Sequence, residues 1–219
     1  MFHHTHPYEP FIPENATKLI VGTLPPPRFT LGDLKPDDVN FCYGSRDGFL
    51  WLILDRIFDL GLKYENTAEA VDERKQFLEK RGIGICDVVE SSQRTKIDAS
   101  DLGMQEVELR DLISILRKHP KIDTLLFTGG NSKNGPEYFF RKHLREKGET
   151  LKLKVVSDEV PRVHQFLLDG RLINTVSLTA PSGAANRAIG SMELYKALKI
   201  KDPEFNTIDF RILQYKGYF

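Results

Sequence analysis

The chain has 219 residues, with 31 lysines and arginines against 31 aspartates and glutamates, and 40% of its residues are apolar. This composition is typical of one ordinary globular domain, and the zero net charge argues against a broad electrostatic grip on nucleic acid. The longest uninterrupted apolar run, Phe49 to Leu54, is far shorter than the roughly 20 residues that cross a bilayer, and the N-terminus lacks the plan of a secretory signal. We therefore expect a cytoplasmic protein with no membrane partner.

Apolar runs alternate with helical patterns along the first half of the chain. Asn66 and Glu69 have the spacing of a capping box, which predicts the start of a helix. The predicted elements are a strand at 18–22, helices at 48–62 and 66–80, a strand at 84–89 and a polar loop at 90–101. The strand at 18–22 runs into a proline-rich loop, which is a typical place for a ligand.

The second half of the chain continues the alternation of strand and helix patterns and then changes to the pattern of a β-hairpin. Asp169 and Gly170 form the strongest signal for a two-residue hairpin turn. The predicted elements are a helix at 109–118, a strand at 124–128, a helix at 136–149, hairpin arms at 163–168 and 171–178, and a helix from the loop at 178–187 to about 198.

Strands that alternate with helices predict a parallel sheet with helices on both faces, and thus one α/β domain over residues 1–219. In such folds ligands gather beyond the carboxyl ends of the strands. Polar or Gly/Pro-rich loops follow three predicted strands, at 22–27, 87–95 and 179–187. We expect these loops to line one cleft.

The loop at 179–187 has the composition of an anion-binding site. Ser182, Gly183 and the free N–H groups of an opening helix, with Arg187 behind them, would hold a phosphate. An ordinary helix cap is the alternative interpretation.

Four segments in a fixed order carry a resemblance to a known family. They are Gly22 to Pro27, Tyr43 to Trp51, Gly84 to Glu90 and Leu178 to Arg187. Together they resemble the ordered motifs of the uracil-DNA glycosylase superfamily, and they are most similar to its mismatch-specific (thymine/uracil) and hypoxanthine-DNA glycosylase branches. The two cysteines, Cys42 and Cys86, are too few for the iron–sulfur clusters of other branches, and we expect both to be reduced and buried.

The resemblance implies a three-layer α/β/α fold with a mainly parallel central sheet. It also implies an enzyme that flips a damaged base out of DNA and hydrolyses its N-glycosidic bond, with no metal and no other cofactor. We expect the protein to be a monomer. Cleavage passes through an oxocarbenium-like sugar while the base leaves as an anion, so the site needs a group that positions water and donors that hold the base.

The first motif lacks the polar residue that many relatives use to position water. It supplies substrate-contacting positions at Gly22, Thr23, Leu24 and Pro25, but leucine cannot orient water. The hypoxanthine branch carries a polar residue slightly downstream, and Asp47 stands at that place. Asp47 is therefore our candidate for positioning water, and an N-cap of the following helix is its alternative role.

The second and third motifs supply candidates for holding the base. Asp87 stands where relatives place an asparagine that reads the edge of the base. A carboxylate there accepts hydrogen bonds and cannot donate to a carbonyl, whereas a protonated Asp87 would do both. Its alternative role is a bond to the adjacent loop. Phe41 and Tyr43 are candidates for stacking on the base, although both would also suit the core.

The fourth motif has Ala180 where relatives commonly carry a polar residue or methionine. The rest of the motif is suited to binding a DNA phosphate, through the backbone of Ser182 and Gly183 and the side chains of Asn186 and Arg187. The departures at Leu24 and Ala180 motivate a second hypothesis, a catalytically silent member of the superfamily that binds nucleic acid or a nucleobase. A serine hydrolase that uses Ser182 is a third, but the Gly-x-Ser-x-Gly elbow is missing.

Three further segments have less specific patterns. The interrupted histidine cluster at 3–6 predicts a disordered tip rather than a metal site. We expect His164 on the surface of the hairpin. The aromatic tail at 200–219 carries enough apolar surface to dock on the domain or on a second subunit.

Overall fold

The computed structural model describes residues 1–146 and 151–219. The strands are β1 Phe2–Thr5, β2 Lys18–Val21, β3 Ile83–Ile85, β4 Val89–Arg94, β5 Met104–Leu109, β6 Thr124–Phe127, β7 Lys154–Ser157, β8 Arg162–Leu168 and β9 Arg171–Ser177. The helices are α1 Pro27–Leu31, α2 Leu50–Phe58, α3 Ala68–Arg81, α4 Leu112–Lys118, α5 Pro136–Glu146, α6 Asn186–Ser191, α7 Glu193–Lys201 and α8 Thr207–Tyr215.

A six-stranded sheet in the order β3-β2-β6-β9-β8-β7 forms the centre of the protein. Strand β2 is parallel to β3 and β6, and β6 is parallel to β9, whereas β8 is antiparallel to both β9 and β7. The predicted α/β class with a mostly parallel sheet is therefore confirmed. The loops after β2, β3, β6 and β9 emerge at the same edge.

Successive residues of the central strands enter different apolar clusters, because side chains of a strand alternate between its faces. In β2, Leu19 and Val21 pack with residues of α4 and α5, such as Leu116 and Phe140. Ile20 packs in a second cluster with residues of α2, α3 and α8. Burial on both faces explains why these strands are uniformly apolar.

A second, antiparallel sheet of β1, β4 and β5 was not expected from the sequence. The prediction of a polar loop at 90–101 is wrong for residues 90–94, which belong to β4; residues 91–94 pair with β1. Leu109 ends β5, so the following helix begins at Leu112 and not at 109. The disordered tip at 3–6 is also wrong, because His4 and His6 are buried under this sheet.

Several predicted boundaries differ for local reasons. Helix α2 is shorter than 48–62 and ends at Asp59, which has a left-handed backbone. Thr67 rather than Asn66 caps α3, since its side chain accepts from Ala70 N–H. The helix from the loop at 178–187 divides at Met192 into α6 and α7.

Two further expectations concern the α5 and hairpin regions. The predicted helix at 136–149 is confirmed to Glu146, and residues 147–150 lie outside the described part of the chain. The surface position of His164 is wrong, because its side chain is 4% exposed and bonds the guanidinium of Arg141. Cys42 and Cys86 are free and buried, as expected.

The C-terminal helix α8 packs on the domain itself. Phe210, Arg211 and Tyr215 are buried, and the Tyr215 ring stacks on Phe219 with a centroid distance of 5.6 Å. The helix begins with a capping box between Asn206 and Asp209. Of the two positions left open for the tail, the structure shows the one on its own domain.

No helix in the described ranges is both long and apolar enough to cross a membrane.

Burial of His4 makes stability depend on pH. Desolvation, with the neighbouring Arg94 charge, lowers the pKa of His4 from 6.5 to about 4. The unfolded chain binds this proton first as the pH falls, so the stabilisation by neutral His4 is present above pH 6.5 and is lost through pH 4. We expect the difference in unfolding free energy between wild type and His4→Gln to shrink by up to about 3 kcal/mol from pH 7 to pH 4. Urea titrations at both pH values measure it, and a constant difference would contradict the assignment.

Candidate active site

Asp87 connects three segments at the carboxyl edge of the parallel strands. Its Oδ1 accepts from the N–H of Gly22 at 3.0 Å, and its Oδ2 lies 2.9 Å from Nε2 of His6. Asp87 and His6 are only 5% and 6% exposed. The contacts to Gly22 are those of a carboxylate that bonds an adjacent loop, and a role in reading the base stays a prediction.

The contacts of His6 assign its tautomer. Nδ1 accepts from the N–H of Tyr8 at 3.1 Å, so the proton of a neutral ring is on Nε2 and is donated to Asp87. Both oxygens of Asp87 therefore accept from N–H donors. This arrangement suits the ionised carboxylate and not the protonated form.

Gly22 lies where no side chain fits. An added Cβ would be 2.0 Å from the Tyr43 hydroxyl oxygen and 2.7 Å from Oδ1 of Asp87. Tyr43 has a left-handed φ of 57° and its hydroxyl lies 2.9 Å from Oγ1 of Thr128. Burial, with the nearby Asp87 charge, raises the pKa of Tyr43 well above its ordinary value. The hydroxyl therefore stays protonated and is able to donate.

A second carboxylate, Asp101, faces the loop after β2 and was not singled out from the sequence. Its Oδ1 accepts from the hydroxyl of Thr23 at 2.9 Å. Burial raises the pKa of Asp101 from 3.8 to about 6, the Thr23 hydrogen bond and Arg94 oppose that rise, and Asp87 adds to it. A partly accessible carboxyl with a pKa near neutrality is typical of an acid–base group.

The backbone around Asp101 is held on two sides. Nδ2 of Asn134, from the loop after β6, donates to the carbonyl of Asp101 at 2.8 Å. Buried Arg94 donates from Nη1 to the carbonyl of Ser100 at 2.6 Å and from Nε to Nδ1 of His4. The second sheet thus fixes the position of Asp101 against the first.

The segment at 43–49 contacts the loop after β9 through its backbone. The N–H of Phe49 donates to the carbonyl of Pro181 at 2.8 Å, and Gly48 and Ser182 form an isolated antiparallel bridge. Since Gly22 touches both Asp87 and Tyr43, each of the four segments that carry the resemblance contacts at least one other. The loops after β2 and β3 contact each other through Gly22 and Asp87, whereas the loop after β9 contacts the 43–49 segment, and a single cleft lined by all three stays a prediction.

Helix α8 holds the loop after β9 in place. The fully buried guanidinium of Arg211 donates from Nε to the carbonyl of Ala180 at 2.9 Å and from Nη2 to that of Ser182 at 2.7 Å. The hydroxyl of Tyr215 donates to the carbonyl of Thr179. The C-terminal helix is therefore part of the site's support.

We expect Arg211→Met to lower the free energy of unfolding by about 2 to 3 kcal/mol, because two buried carbonyls lose charged donors while the stem volume is kept. Urea unfolding measures this loss. Arg162→Met, at an exposed position of β8, is the control and should change stability by less than about 0.5 kcal/mol. Equal effects of the two variants would show that Arg211 does not hold the loop.

Asp47, unlike Asp87 and Asp101, lies on an exposed stretch of the 43–49 segment. Its side chain is 63% exposed and its Oδ2 lies 3.3 Å from Nη2 of Arg28, which also forms a bidentate pair with buried Asp38. The alternative role of Asp47 as a helix cap is wrong, because Phe49 is the N-cap of α2 and no side chain caps it. Its role in positioning water stays a prediction.

Other candidates divide between core and surface. Phe41 is 6% exposed and contacts the rings of Tyr8, Phe11 and Trp51 at centroid distances of 6.5, 6.0 and 6.2 Å. Leu24 packs against an apolar cluster. Pro25 is buried.

The loop at 182–187 forms a surface tip. Gly183 has open space around it and begins a 3₁₀ turn, and Arg187 is exposed. Oδ1 of Asn186 is buried without a hydrogen-bond partner among the described residues. At the expected anion-binding site, the loop thus forms a single 3₁₀ turn that leads into a helix of only six residues. Phosphate binding there stays a prediction.

Within residues 1–146 and 151–219, no group of three or more His, Cys, Asp or Glu side chains is placed to hold a metal ion. No protein-family model matches the chain, and a comparison with curated proteins finds no match either.

Proposed function

We propose that the protein is a monofunctional DNA glycosylase of the uracil-DNA glycosylase type, with a three-layer α/β/α fold, that releases a flipped deaminated base such as uracil or hypoxanthine. The observation that carries the proposal is the contact between the four resembling segments at one edge of the sheet. Buried acid and hydroxyl groups at that edge supply the chemistry that base release needs.

The reaction breaks the bond between C1′ of the sugar and the base nitrogen. The bond electrons leave with the nucleobase, and C1′ becomes oxocarbenium-like. The oxygen of a water molecule then bonds C1′, and a proton of that water passes to a general base of the protein. Flipping costs a few kcal/mol, which phosphate contacts must offset. DNA that contains the damaged base is the partner, and the chain acts as a monomer.

Asp101 is placed to orient the water and to accept its proton. Its pKa of about 6 leaves it ionised at neutral pH, and the Thr23 hydroxyl fixes one of its oxygens. The ionised Asp87 adds a fixed negative charge that stabilises the sugar cation. The hydroxyl of Tyr43 is protonated and hydrogen-bonds Asp87 and Thr128, and it would turn from them to donate to the leaving base.

A silent member of the superfamily that binds nucleic acid or a nucleobase is the second candidate. Leu24 favours it, because an apolar side chain packed on the core occupies the place where relatives position water.

Single-turnover incubation with labelled DNA tests the proposal. Duplexes and single strands that carry uracil, hypoxanthine, xanthine or mismatched thymine are treated with excess enzyme, and alkali then reveals abasic sites. We expect cleavage of at least one deaminated base. No abasic sites on any strand, with a working glycosylase alongside, would favour the silent binder, and salt-dependent DNA affinity would then identify its ligand class.

A further inference from the structure

A cavity of about 310 Å³ lies between the 43–49 segment, the start of α2 and α3. Its walls are largely aromatic and apolar, with Phe49, Trp51, Leu52 and Tyr64 among them. Arg46 and Asp37 line it as well, with side chains that are 43% and 62% exposed. It shares Tyr43 with the candidate active site but contains neither Asp87 nor Asp101.

A fully buried arginine, Arg74 of α3, also lines this cavity. Its guanidinium carbon lies 5.3 Å from the centroid of the Trp51 ring and 5.1 Å from that of Tyr64. In the described part of the chain, Nη1 alone among its nitrogens has hydrogen-bond acceptors, the carbonyls of Lys63 and Ala70, at 2.9 and 2.7 Å. The guanidinium therefore makes cation–π contacts with both rings.

The remaining edge of Arg74 is unpaired. Nε and Nη2 are buried and have no hydrogen-bond partner among residues 1–146 and 151–219. These two nitrogens form the side of the guanidinium that binds two oxygens at once. The same edge of Arg28 holds both oxygens of Asp38, and that of Arg211 holds two carbonyls.

Nearby carboxylates are already committed to other donors. Oδ1 of Asp55 accepts from the N–H of Gly61 and its Oδ2 from the hydroxyl of Tyr64. Oε2 of Glu73 accepts from the N–H of Lys63. Burial lowers the pKa of Arg74, and the charges of these acids only oppose that effect from a distance. A buried cation without a paired acceptor is costly, and an external oxyanion would offset that cost.

We propose that this cavity binds a small organic oxyanion, a carboxylate or a phosphate monoester, through the Nε and Nη2 edge of Arg74. Both nitrogens have almost no water-accessible surface, so the ligand reaches them only when the 38% exposed Tyr64 side chain moves aside. Two oxygens of the ligand then accept from that edge, and its organic part contacts Phe49 and Leu52. The aromatic walls favour a ligand with a flat ring. The inference is independent of glycosylase activity.

The fluorescence of the chain's single tryptophan tests the proposal directly, because Trp51 stacks on Arg74. The protein is titrated with benzoate, phenyl phosphate and inorganic phosphate, with chloride at matched ionic strength as the control. We expect saturable changes with benzoate or phenyl phosphate at about 1 mM or below. A saturable response to inorganic phosphate would show that the oxyanion is recognised without a ring. A response to benzoate or phenyl phosphate but not to inorganic phosphate would show that the ring is needed as well.

Arg74→Lys should weaken binding about 10-fold or more, because lysine keeps the charge but lacks the two-pronged edge. Arg162→Lys, at an exposed position, should bind as wild type. In wild-type protein, the ¹⁵N resonance of Arg74 Nε, assigned through its contacts with the Trp51 indole, should shift on titration, and this measurement needs no variant. The proposal is overturned by unsaturated, chloride-like responses to all three anions, by a stationary Nε resonance, or by unchanged affinity in a folded Arg74→Lys protein.

Discussion

Asp101→Asn should lower the single-turnover rate of base release about 10²-fold or more and at the same time stabilise the protein at pH 8. The rate falls because an amide cannot take the proton of the attacking water. The pH profile of the wild type should fall on the acid side near pH 6, where Asp101 gains its proton. The variant should lack that acid limb.

The expected gain in stability of Asp101→Asn has a pH dependence opposite in sign to that of His4, because burial of Asp101 destabilises the wild-type protein at high pH rather than at low pH. The unfolded chain loses the Asp101 proton near pH 4, whereas the folded protein keeps it to about pH 6. The folded state therefore loses stability as the pH rises from 4 to 6, and the loss persists above it. Because Asp101 is partly accessible, we expect the variant to be more stable by about 1 to 2 kcal/mol at pH 8 and unchanged near pH 4.

Urea unfolding at pH 4 and pH 8, with rates on the base that the wild type cleaves, measures both effects. Asp47→Asn is the matched comparison, since Asp47 is the rival carboxylate on an exposed segment. A wild-type rate for Asp101→Asn with a large loss for Asp47→Asn would assign the water to Asp47. If the wild type cleaves nothing, the stability part of the prediction still stands.

Gly22→Ala is expected to destabilise the protein by about 3 kcal/mol or more and to abolish base release. The added methyl would lie 2.0 Å from the hydroxyl of Tyr43, which Thr128 holds on its far side. It would also crowd Oδ1 of Asp87, so the site must rearrange or the strand must shift. Insertions into packed interiors cost roughly 1 to 3 kcal/mol, and the hydrogen bonds that hold the Tyr43 and Asp87 side chains limit relief here.

Thermal and urea unfolding measure this loss, with Gly190→Ala as the control because nothing lies within 4 Å of an added Cβ there. Alanine in that exposed turn of α6 should leave stability unchanged or raise it slightly. Removing the hydroxyl in the double variant Gly22→Ala/Tyr43→Phe should restore part of the stability. A Gly22→Ala protein as stable as wild type would contradict the tight contact.

The parallel strands were predictable because burial on both faces leaves a continuous apolar run, as at residues 18–22. The loops that follow them were predictable as a group, since parallel strands end at one edge. The second sheet was not, because β1 pairs with a partner about ninety residues away, Phe2 with Arg94. Its polar residues resemble those of a loop. Only the last three residues of β5, Val107–Glu108–Leu109, alternate between apolar and polar, so the available signal for this strand was short.

The site was predictable only where residues are close in sequence to a recognisable loop. Gly22, Asp87 and Tyr43 belong to such segments and do meet. Asp101 and His6 carry no local pattern, because their surroundings arise from contacts with Thr23 and Asp87 across the fold. The pKa of Asp101 depends on burial, which no window of sequence reports.

Two elements that lie far apart in the sequence, the segment of His6 and helix α8, both support the candidate site. His6 holds Asp87 from the N-terminal side, and Arg211 and Tyr215 hold the loop after β9 from the C-terminal side. A nascent chain therefore contains no complete site until α8 has left the ribosome and docked. A chain truncated before Arg211 would keep Asp87 and Asp101 but would lack the donors that hold the carbonyls of Ala180 and Ser182 in the loop after β9.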